Sequence, residues 1–462
     1  MLTEGQKAKL AQYTEAVSAD TAAKKRLAAL FDDGVYTEID AYAKAGDALA
    51  GVAAAYGFVN GTPVYAFSQD KSVKSGAVSK AHAAKICKVM ELASRNGVPV
   101  VGIYDSCGAF VEDGADALSA YGDILMYTGN LSGVVPQIAV VAGVCAGSAA
   151  MIAASADIVV MTEEAELYIA PATAAGTASA AAKAGVASIV AKDDAATMEE
   201  VRKLITFIPQ NNLSGVPEFE YADSAKSAEG NAEAVAAAIA DEGSIIELSA
   251  EFGKASYTAL ASVGGATAGI VATNKTADKL TSADSAKIAR FVRFCDAFSV
   301  PVITVVDTEG FEANEATELS GSVRDTAKVA NAYAEATTAK IALVTGKAYG
   351  PAFIALAGNN ASSDMTFAYA DAVIAAMNPV AAAEFLYHDE LKGASDVNAK
   401  RKELAARYAD EYGSAFDAAA KGAVDAVITA AEARAKIISV LDVTAGKRMN
   451  KRLPKKHSNM PF

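Results

Sequence analysis

Apolar residues occur along the chain in short β-branched runs that alternate with longer segments of helical spacing. Val98–Tyr104 and Ile138–Val144 are two such runs, and each is followed by a glycine-containing turn. The segments Lys80–Gly97 and Ser285–Ser299 instead carry apolar residues at intervals of three and four. This alternation predicts stacked βα units, in which helices connect nearly parallel strands and cover the sheet.

The two halves of the chain repeat each other at a constant offset. The run Val98–Phe110 is matched by Val300–Phe311, and the turn at Gly147 is matched by a turn at Gly350. The separations, 300 − 98 = 202 and 350 − 147 = 203, agree within one residue. Duplication of a domain predicts such an offset, whereas chance similarity does not.

Length and composition favour two globular domains. The chain has 462 residues, more than one ordinary core contains, and its 52% of hydrophobic residues is enough for two cores. Turn-forming residues are dense in Pro209–Pro217, and acidic residues follow this segment. We therefore expect an N-terminal domain over residues 1–225 and a C-terminal domain over residues 226–462.

Charge and cysteine content argue against several classes of protein. A net charge of −14 disfavours a nucleic-acid partner, because binding to a polyanion needs clustered Lys and Arg. Cys87, Cys107, Cys145 and Cys295 are scattered, so we expect reduced thiols and no metal site. Neither a secretory leader nor an apolar stretch of membrane-spanning length is visible, which predicts a cytoplasmic protein.

Longer motifs in both halves point to one family. They are Ser68–Gly76, Ala81–Lys88, Gly133–Ile138, Pro209–Leu213, Ala289–Asp296, Ala332–Thr337, Lys347–Gly350 and Pro454–Pro461. Together they resemble the carboxyltransferase subunits of biotin-dependent acyl-CoA carboxylases and decarboxylases. That family includes propionyl-CoA carboxylase β subunits and the α subunits of methylmalonyl-CoA and glutaconyl-CoA decarboxylases. The resemblance spans nearly the whole chain.

The resemblance implies a fold and an activity. The fold is α/β, with two tandem crotonase-like domains, each a ββα superhelix of the crotonase superfamily. The activity is transfer of CO2 between carboxybiotin and a short-chain acyl-CoA, with acyl-CoA in the N-terminal domain and biotin in the C-terminal domain. No metal is implied. Biotin must arrive on another protein, because the sequence contains no Met-Lys dipeptide and no ATP-binding P-loop.

The same resemblance implies several partners. A biotin carboxyl carrier protein is the first, and biotin carboxylase or the membrane subunits of a decarboxylase are further ones. With membrane subunits, the protein would lie at the periphery of a membrane complex. A homo-oligomer is also implied, with a dimer as its smallest unit and a hexamer as a larger form. Each active site would then form between the first domain of one subunit and the second domain of another.

Carboxyl transfer of this kind develops negative charge on two oxygens, one on the thioester and one on the biotin ureido group. Paired main-chain N–H groups at a glycine turn can stabilise each of them. By position, the first oxyanion hole falls on Gly147 and Ser148 and the second on Gly350, Pro351 and Ala352. Further contacts carried over from the family are Cys107, Gly108, Ala109 and Ile354 for the substrate and Tyr349 and Phe353 for biotin.

The chain departs from the family pattern at these sites. Ser148 stands where the family has glycine and keeps its N–H. Pro351 also replaces a glycine but has no N–H, so the second hole is short of one contact. The turn Cys107–Phe110 lacks the arginine of the family, and the stretch from Tyr168 to Ala182 is shorter than in relatives.

Some candidates have a second interpretation. Asp105 and Asp307 end their strands, where a carboxylate caps the following turn more often than it takes part in chemistry. His82 on a predicted helix favours a structural role over catalysis, and Ile354 fits core packing as well as an acyl pocket. The lysines near the first domain's opening motif fit CoA phosphates or a solvated face; they are Lys71, Lys74, Lys80, Lys85 and Lys88.

Two rival functions remain at this level. Pro351 and the shortened stretch fit a catalytically impaired CoA-binding scaffold. A stand-alone hydratase or hydrolase would use only the first hole and would need a carboxylate base, for which Glu112 is the obvious candidate.

Overall fold

The computed structural model describes residues 2–170, 176–224, 226–359, 361–447 and 459–461. The chain divides into two compact units, Met1–Gly215 and Val216–Phe462. The division lies inside the turn-rich segment Pro209–Pro217, ten residues before the expected position (225 − 215 = 10). Each unit is described by itself below.

In its described residues the first unit has ten strands: eight form one sheet that helices cover, and the second and third form a separate two-stranded sheet. Its strands are β1 (Tyr36–Ile39), β2 (Lys44–Ala45), β3 (Ala48–Leu49), β4 (Val52–Val59), β5 (Thr62–Gln69), β6 (Val100–Ser106), β7 (Gln137–Ala146), β8 (Ile158–Thr162), β9 (Glu166–Tyr168) and β10 (Ile189–Ala191). Its helices are α1 (Glu4–Val17), α2 (Ala22–Leu30), α3 (Lys80–Asn96), α4 (Ala115–Leu131), α5 (Ser148–Ala154), α6 (Ala178–Lys183) and α7 (Asp194–Phe207). Short 3-10 turns lie at Asp32–Gly34, Lys74–Gly76 and Val111–Asp113.

The second unit contains a sheet of the same size. Its strands are β11 (Ile246–Glu247), β12 (Tyr257–Val263), β13 (Ala266–Ala272), β14 (Val302–Thr308), β15 (Lys340–Tyr349), β16 (Met365–Tyr369), β17 (Val373–Ala375) and β18 (Ala426–Ile428). Its helices are α8 (Ala232–Ile239), α9 (Ser282–Ala297), α10 (Glu315–Ser320), α11 (Ser322–Glu335), α12 (Pro351–Leu356), α13 (Pro379–Leu386), α14 (His388–Lys392), α15 (Val397–Tyr412), α16 (Ala415–Ala420) and α17 (Ala430–Thr444).

The two sheets have the same strand order. In the first it runs β1-β4-β5-β6-β7-β8-β10 with β9 paired to β7, and in the second β11-β12-β13-β14-β15-β16-β18 with β17 paired to β15. From β5 to β8 and from β13 to β16 the strands are parallel, which confirms the predicted βα units. The antiparallel edges β1-β4-β5 and β11-β12-β13 were not predicted.

Local sequence signals explain where the covering helices begin and end. Ser79 caps α3 by accepting the N–H of His82 over 3.3 Å, and Gly97 ends this helix in the left-handed conformation at φ 63°. Thr281 and Asp284 form a capping box at the start of α9, three residues before the predicted start. Both predicted helices are therefore confirmed, with an earlier start for the second.

The central strands are buried because helices cover both of their faces. All seven residues of β6 are buried, and β14 is buried at six of its seven positions. Such strands appear in sequence as continuous apolar runs without polar alternation. The core therefore holds β6, β7, β14 and β15 rigidly, and the turns at the ends of β7 and β15 project from fixed supports.

Candidate active site

The first predicted oxyanion turn lies between β7 and α5. Gly147 has φ 62° and ψ −125°, a conformation that side chains disfavour, and its N–H donates to the carbonyl of Tyr168 over 2.9 Å. The amide of Gly147 is therefore not the available donor. Ser148 and Ala149 are the first two residues of α5, where an N–H group has no carbonyl partner within the helix. The exposed Ser148 and the adjacent Ala149 thus supply the main-chain donors of this turn.

The second turn has the same construction. Gly350 has φ 48° and ψ −120°, and its N–H donates to the carbonyl of Ala375 over 2.9 Å. A Cβ at Gly350 would lie 2.8 Å from the carbonyl oxygen of Ala376, so only glycine fits. Helix α12 begins at Pro351, which has no N–H. The first-turn donors of α12 are consequently the amides of Ala352 and Phe353.

The substrate-contact residues expected at Cys107–Ala109 form the loop after β6. Cys107 is exposed and its N–H donates to the carbonyl of Ser75 over 3.1 Å, while the Gly108 carbonyl accepts the N–H of Val78 over 2.9 Å. Ser106, the residue before this loop, pairs in the sheet with Cys145, two residues before the first turn. The structure therefore brings the Cys107–Ala109 loop beside the first turn.

The remaining predicted contacts lie on or next to α12. Ile354 is 63% exposed, so it does not pack in the core of its own unit. Phe353 is half-buried. The ring of Tyr349 is buried in a small cluster with Ala375 and Tyr408, so it packs within its own unit, and its contact with biotin stays a prediction.

The sequence predicts that Asp105 and Asp307 cap the turns that follow them. In the structure each instead binds the neighbouring strand. Asp105 Oδ1 accepts the N–H of Val144 in the neighbouring strand over 3.4 Å, and Asp307 Oδ1 accepts that of Lys347 over 2.8 Å. In both sheets the pairing register shifts at the aspartate: between Tyr104 and Ser106 in the first sheet, and between Val306 and Thr308 in the second. The two carboxylates thus bind the strands that lead to the two predicted oxyanion turns.

Arg26 is a residue of this site that the sequence did not reveal. Its side chain pairs with Asp105 over 2.9 Å although the two residues are 79 positions apart. A single arginine in an amphipathic helix carries no local pattern that would indicate such a partner. The repeat does not reveal the arginine either, because the equivalent carboxylate in the second half, that of Asp307, is bound by Asn274.

His82 is fully buried, which supports the structural interpretation. Gln69 accepts the N–H of Asp105 at Oε1 over 3.1 Å, so its amide nitrogen faces His82 Nε2 at 3.3 Å. Nε2 is therefore the acceptor, which assigns the ring proton to Nδ1. Burial, together with the charge of Lys85, lowers the pKa of His82 to about 3. The ring is consequently neutral.

The other candidates are Glu112 and the lysines near the start of the first unit. Glu112 is exposed on a 3-10 turn. Lys85 is buried at 3.8 Å from Glu38, and Lys88 is paired with Asp40 at 2.7 Å. Lys85 and Lys88 are therefore engaged in ion pairs within the unit, whereas Lys71, Lys74 and Lys80 are exposed.

Metal ligands and membrane-spanning segments are the remaining features to place in the described residues. No set of three or more His, Cys, Asp or Glu side chains in that part of the chain is arranged to hold a metal ion. No helix there is long and apolar enough to cross a membrane. Part of the shortened stretch, residues 171–175, and most of the closing motif Pro454–Pro461 lie outside the described residues.

Comparisons with known proteins agree with this architecture. Residues 19–460 match the family model for the carboxyl transferase domain. Over 95% of this chain and 93% of the other protein, the sequence is 35% identical to methylmalonyl-CoA decarboxylase subunit alpha of Propionigenium modestum. It is also 35% identical to the methylmalonyl-CoA carboxyltransferase 12S subunit of Propionibacterium freudenreichii subsp. shermanii, over 95% of this chain and 91% of that one.

A solved structure matches both halves together. It is the transcarboxylase 12S crystal structure, a hexamer assembly with methylmalonyl-coenzyme A and methylmalonic acid bound. The TM-score is 0.92 at 33% identity, and the match covers 100% of this chain and 99% of that chain. The two tandem crotonase-like domains expected from the sequence are thereby confirmed.

Proposed function

We propose, because this chain belongs to the carboxyl transferase domain family, that it moves a carboxyl group between biotin on a separate carrier protein and a short-chain acyl-CoA. The observation that carries the proposal is the pair of repeat-related turns at Gly147 and Gly350. Each glycine is fixed by one hydrogen bond to a neighbouring strand and is followed by amides at the start of a helix. Main-chain donors of this kind stabilise oxyanions without any acid or base side chain.

The first turn is suited to the acyl-CoA. When the carboxyl group leaves the α-carbon, the bonding electrons remain on the substrate and spread onto the thioester oxygen. The N–H groups of Ser148 and Ala149 would donate to this oxygen. Loss of one such donor typically costs about 2.7–4 kcal/mol of transition-state stabilisation. The nearby loop at Cys107–Ala109 would line the side of the same pocket.

The second turn is suited to the ureido oxygen of biotin. Biotin, when bound, supplies the nitrogen that receives the carboxyl group and gives up a proton. The amides of Ala352 and Phe353 fit an oxygen acceptor, because they lie in the first turn of α12, where an N–H group has no carbonyl partner within the helix. Pro351 removes the donor that Ser148 supplies at the equivalent position of the first turn, so the donors of this site begin one residue later, at Ala352.

Methylmalonyl-CoA and propionyl-CoA are the acyl pair we assign to this chain. The support is that relatives named for methylmalonyl-CoA are 35% identical to it over 95% of its length. A biotin carboxyl carrier protein is the partner that must deliver and remove biotin. This chain then acts as one component of a carboxylase, decarboxylase or transcarboxylase.

A homo-oligomer completes the proposal. Met151 in α5 is 46% exposed and Ile354 in α12 is 63% exposed, and their separation, 354 − 151 = 203, is that of the duplication. An exposed apolar residue beside each turn supports an assembly in which another copy of the chain covers it. The 12S structure that resembles this chain is itself a hexamer. Ile354→Glu should therefore reduce the particle mass measured by light scattering.

The experiment that tests the function supplies the purified protein with a biotinylated carrier and malonyl-, methylmalonyl- or glutaconyl-CoA. The product measured is carboxyl label transferred from acyl-CoA to the carrier. Transfer from methylmalonyl-CoA is expected. If no carboxyl label is transferred from any of the three substrates, the proposal is contradicted. Turnover of the acyl-CoA without any biotin would indicate a hydrolase or hydratase.

Pro351 favours a second candidate, a CoA-binding subunit with impaired catalysis. Pro351→Ser restores an N–H at the position where the first turn has Ser148. A carboxyltransferase limited by its second turn should gain activity, by up to about 100-fold for one restored donor. A protein that is inactive before and after this substitution, yet binds acyl-CoA in calorimetry, would be the scaffold.

A further inference from the structure

Two buried charged side chains meet at the strand that leads to the first turn. Arg26 in α2 and Asp105 in β6 are 8% and 4% exposed, and Nη1 of the arginine donates to Oδ2 of the aspartate over 2.9 Å. Arg26 Nη2 donates to the carbonyl of Ala142 over 3.0 Å, and Nε donates to Asp194 over 2.7 Å. The other oxygen of Asp105 accepts the N–H of Val144. The pair therefore contacts the main chain of β7 at two points.

These two points lie on either side of one glycine. Gly143 separates Ala142, whose carbonyl is bound by Arg26, from Val144, whose N–H is bound by Asp105. A Cβ added to Gly143 would overlap the carboxylate of Asp105, so the fit leaves no space for a side chain. The ion pair thus holds both peptide groups that flank the glycine.

The contact falls where β7 changes its sheet partners. Its ladder with β8 ends at Val141, and its ladder with β9 begins at Val144. On the opposite side, the register with β6 shifts between Tyr104 and Ser106. Regular hydrogen bonding is therefore interrupted on both edges of this part of β7. The side chains of Arg26 and Asp105 bind the backbone at that interruption.

The guanidinium remains charged in this environment. Burial acts against the charge of Arg26, but hydrogen bonds to Asp194 and Asp105 outweigh it, and the pKa of the arginine is raised. A buried charge is tolerated when it is paired and its donors are satisfied, and here each nitrogen of the guanidinium has an acceptor. Removing Asp105 would leave this buried guanidinium with Asp194 as its remaining carboxylate, and removing Arg26 would leave the buried Asp105 without its cationic partner.

We propose that Arg26 and Asp105 are positioning residues for carboxyl transfer: by fixing β7 around Gly143, they orient the amides of Ser148 and Ala149 toward the thioester oxygen. The inference rests on the proposed function, since it assigns those amides to the acyl-CoA. Neither side chain touches the substrate. Both act through the backbone that ends in the first turn.

The second unit uses a weaker version of this arrangement. Asp307 accepts the N–H of Lys347 in the neighbouring strand over 2.8 Å, as Asp105 accepts that of Val144, but its second oxygen accepts from the neutral amide of Asn274 at 3.4 Å. An arginine is therefore specific to the acyl-CoA half. The strand before the first turn thus has a cationic side chain bound to its backbone through the Arg26 contact with Ala142.

Two variants test the proposal. Asp105→Asn keeps the size of the side chain and removes its charge, and Arg26→Lys keeps a charge but loses the fork that reaches Ala142 and Asp105 together. The matched control is Arg202→Lys, because Arg202 likewise bridges a carbonyl, that of Leu30, and a carboxylate in the same unit. The measurements are kcat, KM for methylmalonyl-CoA, and amide hydrogen exchange over residues 142–149.

We expect both variants to lower kcat by about 10-fold to 100-fold, since a small displacement of oxyanion donors affects the transition state most. KM should change little, and hydrogen exchange should accelerate over residues 142–149. Arg202→Lys should match the wild type in kcat and in the exchange of this segment. The proposal is overturned by wild-type kcat in both variants, or by an equal loss of kcat in the control.

Hydrogen exchange separates this inference from the proposed function. The measurement needs no substrate, so it reports whether Arg26 and Asp105 stabilise the backbone of β7 even if the wild-type protein transfers no carboxyl group. Unchanged exchange over residues 142–149 in Arg26→Lys would overturn the inference whatever the outcome of the transfer assay. If Asp105→Asn fails to fold, Arg26→Lys carries the test.

Discussion

Gly346 lies so close to Asp307 that a Cβ on the glycine would overlap the aspartate carboxylate. The same relationship links Gly143 and Asp105 in the first unit. In each sheet the carboxylate that ends one central strand occupies the space that the glycine of the next strand leaves free. The duplication has therefore preserved this close contact in both halves.

Gly346→Ala should destabilise the second unit by about 1–3 kcal/mol, because the added methyl group must displace a hydrogen-bonded carboxylate. The free energy of unfolding from urea titration measures this effect. Gly393→Ala is the matched control, since a Cβ there meets only a carbonyl oxygen at 3.7 Å. Equal stability of the two variants would show that Asp307 can move without cost.

Ser148→Pro should lower kcat by about 100-fold to 1000-fold, since it removes one of the donors at the first turn. The backbone can accept proline there, because Gly147 (φ 62°, ψ −125°) closely matches Gly350 (φ 48°, ψ −120°), which precedes Pro351 in the native chain. Ser148→Ala keeps the N–H and serves as the control in the same steady-state assay. Equal activity of the two Ser148 variants would mean that this amide does not contact the reacting oxygen.

Cys107 should be the thiol that reacts first with an alkylating reagent in the native protein, because it is exposed whereas Cys145 and Cys295 are buried. Burial raises the pKa of both buried thiols, and burial together with Asp123 raises the pKa of the half-buried Cys87 to about 12. Peptide mass mapping after brief labelling measures the order. Methylmalonyl-CoA should slow the labelling of Cys107, and labelling that ignores the substrate would place this loop outside the pocket.

Acidification should destabilise the first unit through His82. Its pKa falls from 6.5 to about 3 on folding, so between these values the unfolded chain binds a proton that the folded chain does not. The free energy of unfolding should decrease as the pH falls below about 6.5, by about 2 kcal/mol near pH 5. His82→Gln should remove this part of the pH dependence in urea titrations, while the exposed His388→Gln should leave it unchanged.

The strands and turns of the site were predictable because the repeat marks them twice. A run such as Val300–Val306 is apolar except for Thr304, and the offset from its counterpart identified the turn at Gly350. The position of the donors was less predictable. Whether Gly147 or Ser148 offers its amide depends on a hydrogen bond to β9, which lies farther along the chain.

The supports behind the turns could not be predicted from the sequence. The partnership of Arg26 with Asp105 joins residues that only the folded sheet brings together. The exposure of Ile354 is a property of the surface around α12, and an isoleucine after a glycine turn fits a core equally well in sequence. Contacts between distant segments therefore account for most of what the pattern of residues left open.

The direction in which each turn faces is determined outside the helix that follows it. Gly147 is bonded to β9 and Gly350 to β17, whereas the following helices provide the amides. The orientation of the turn and the number of its main-chain N–H donors can therefore change independently. An exchange at the first helical position, occupied by Ser148 in one copy and Pro351 in the other, alters the strength of an anion site and leaves its orientation in place.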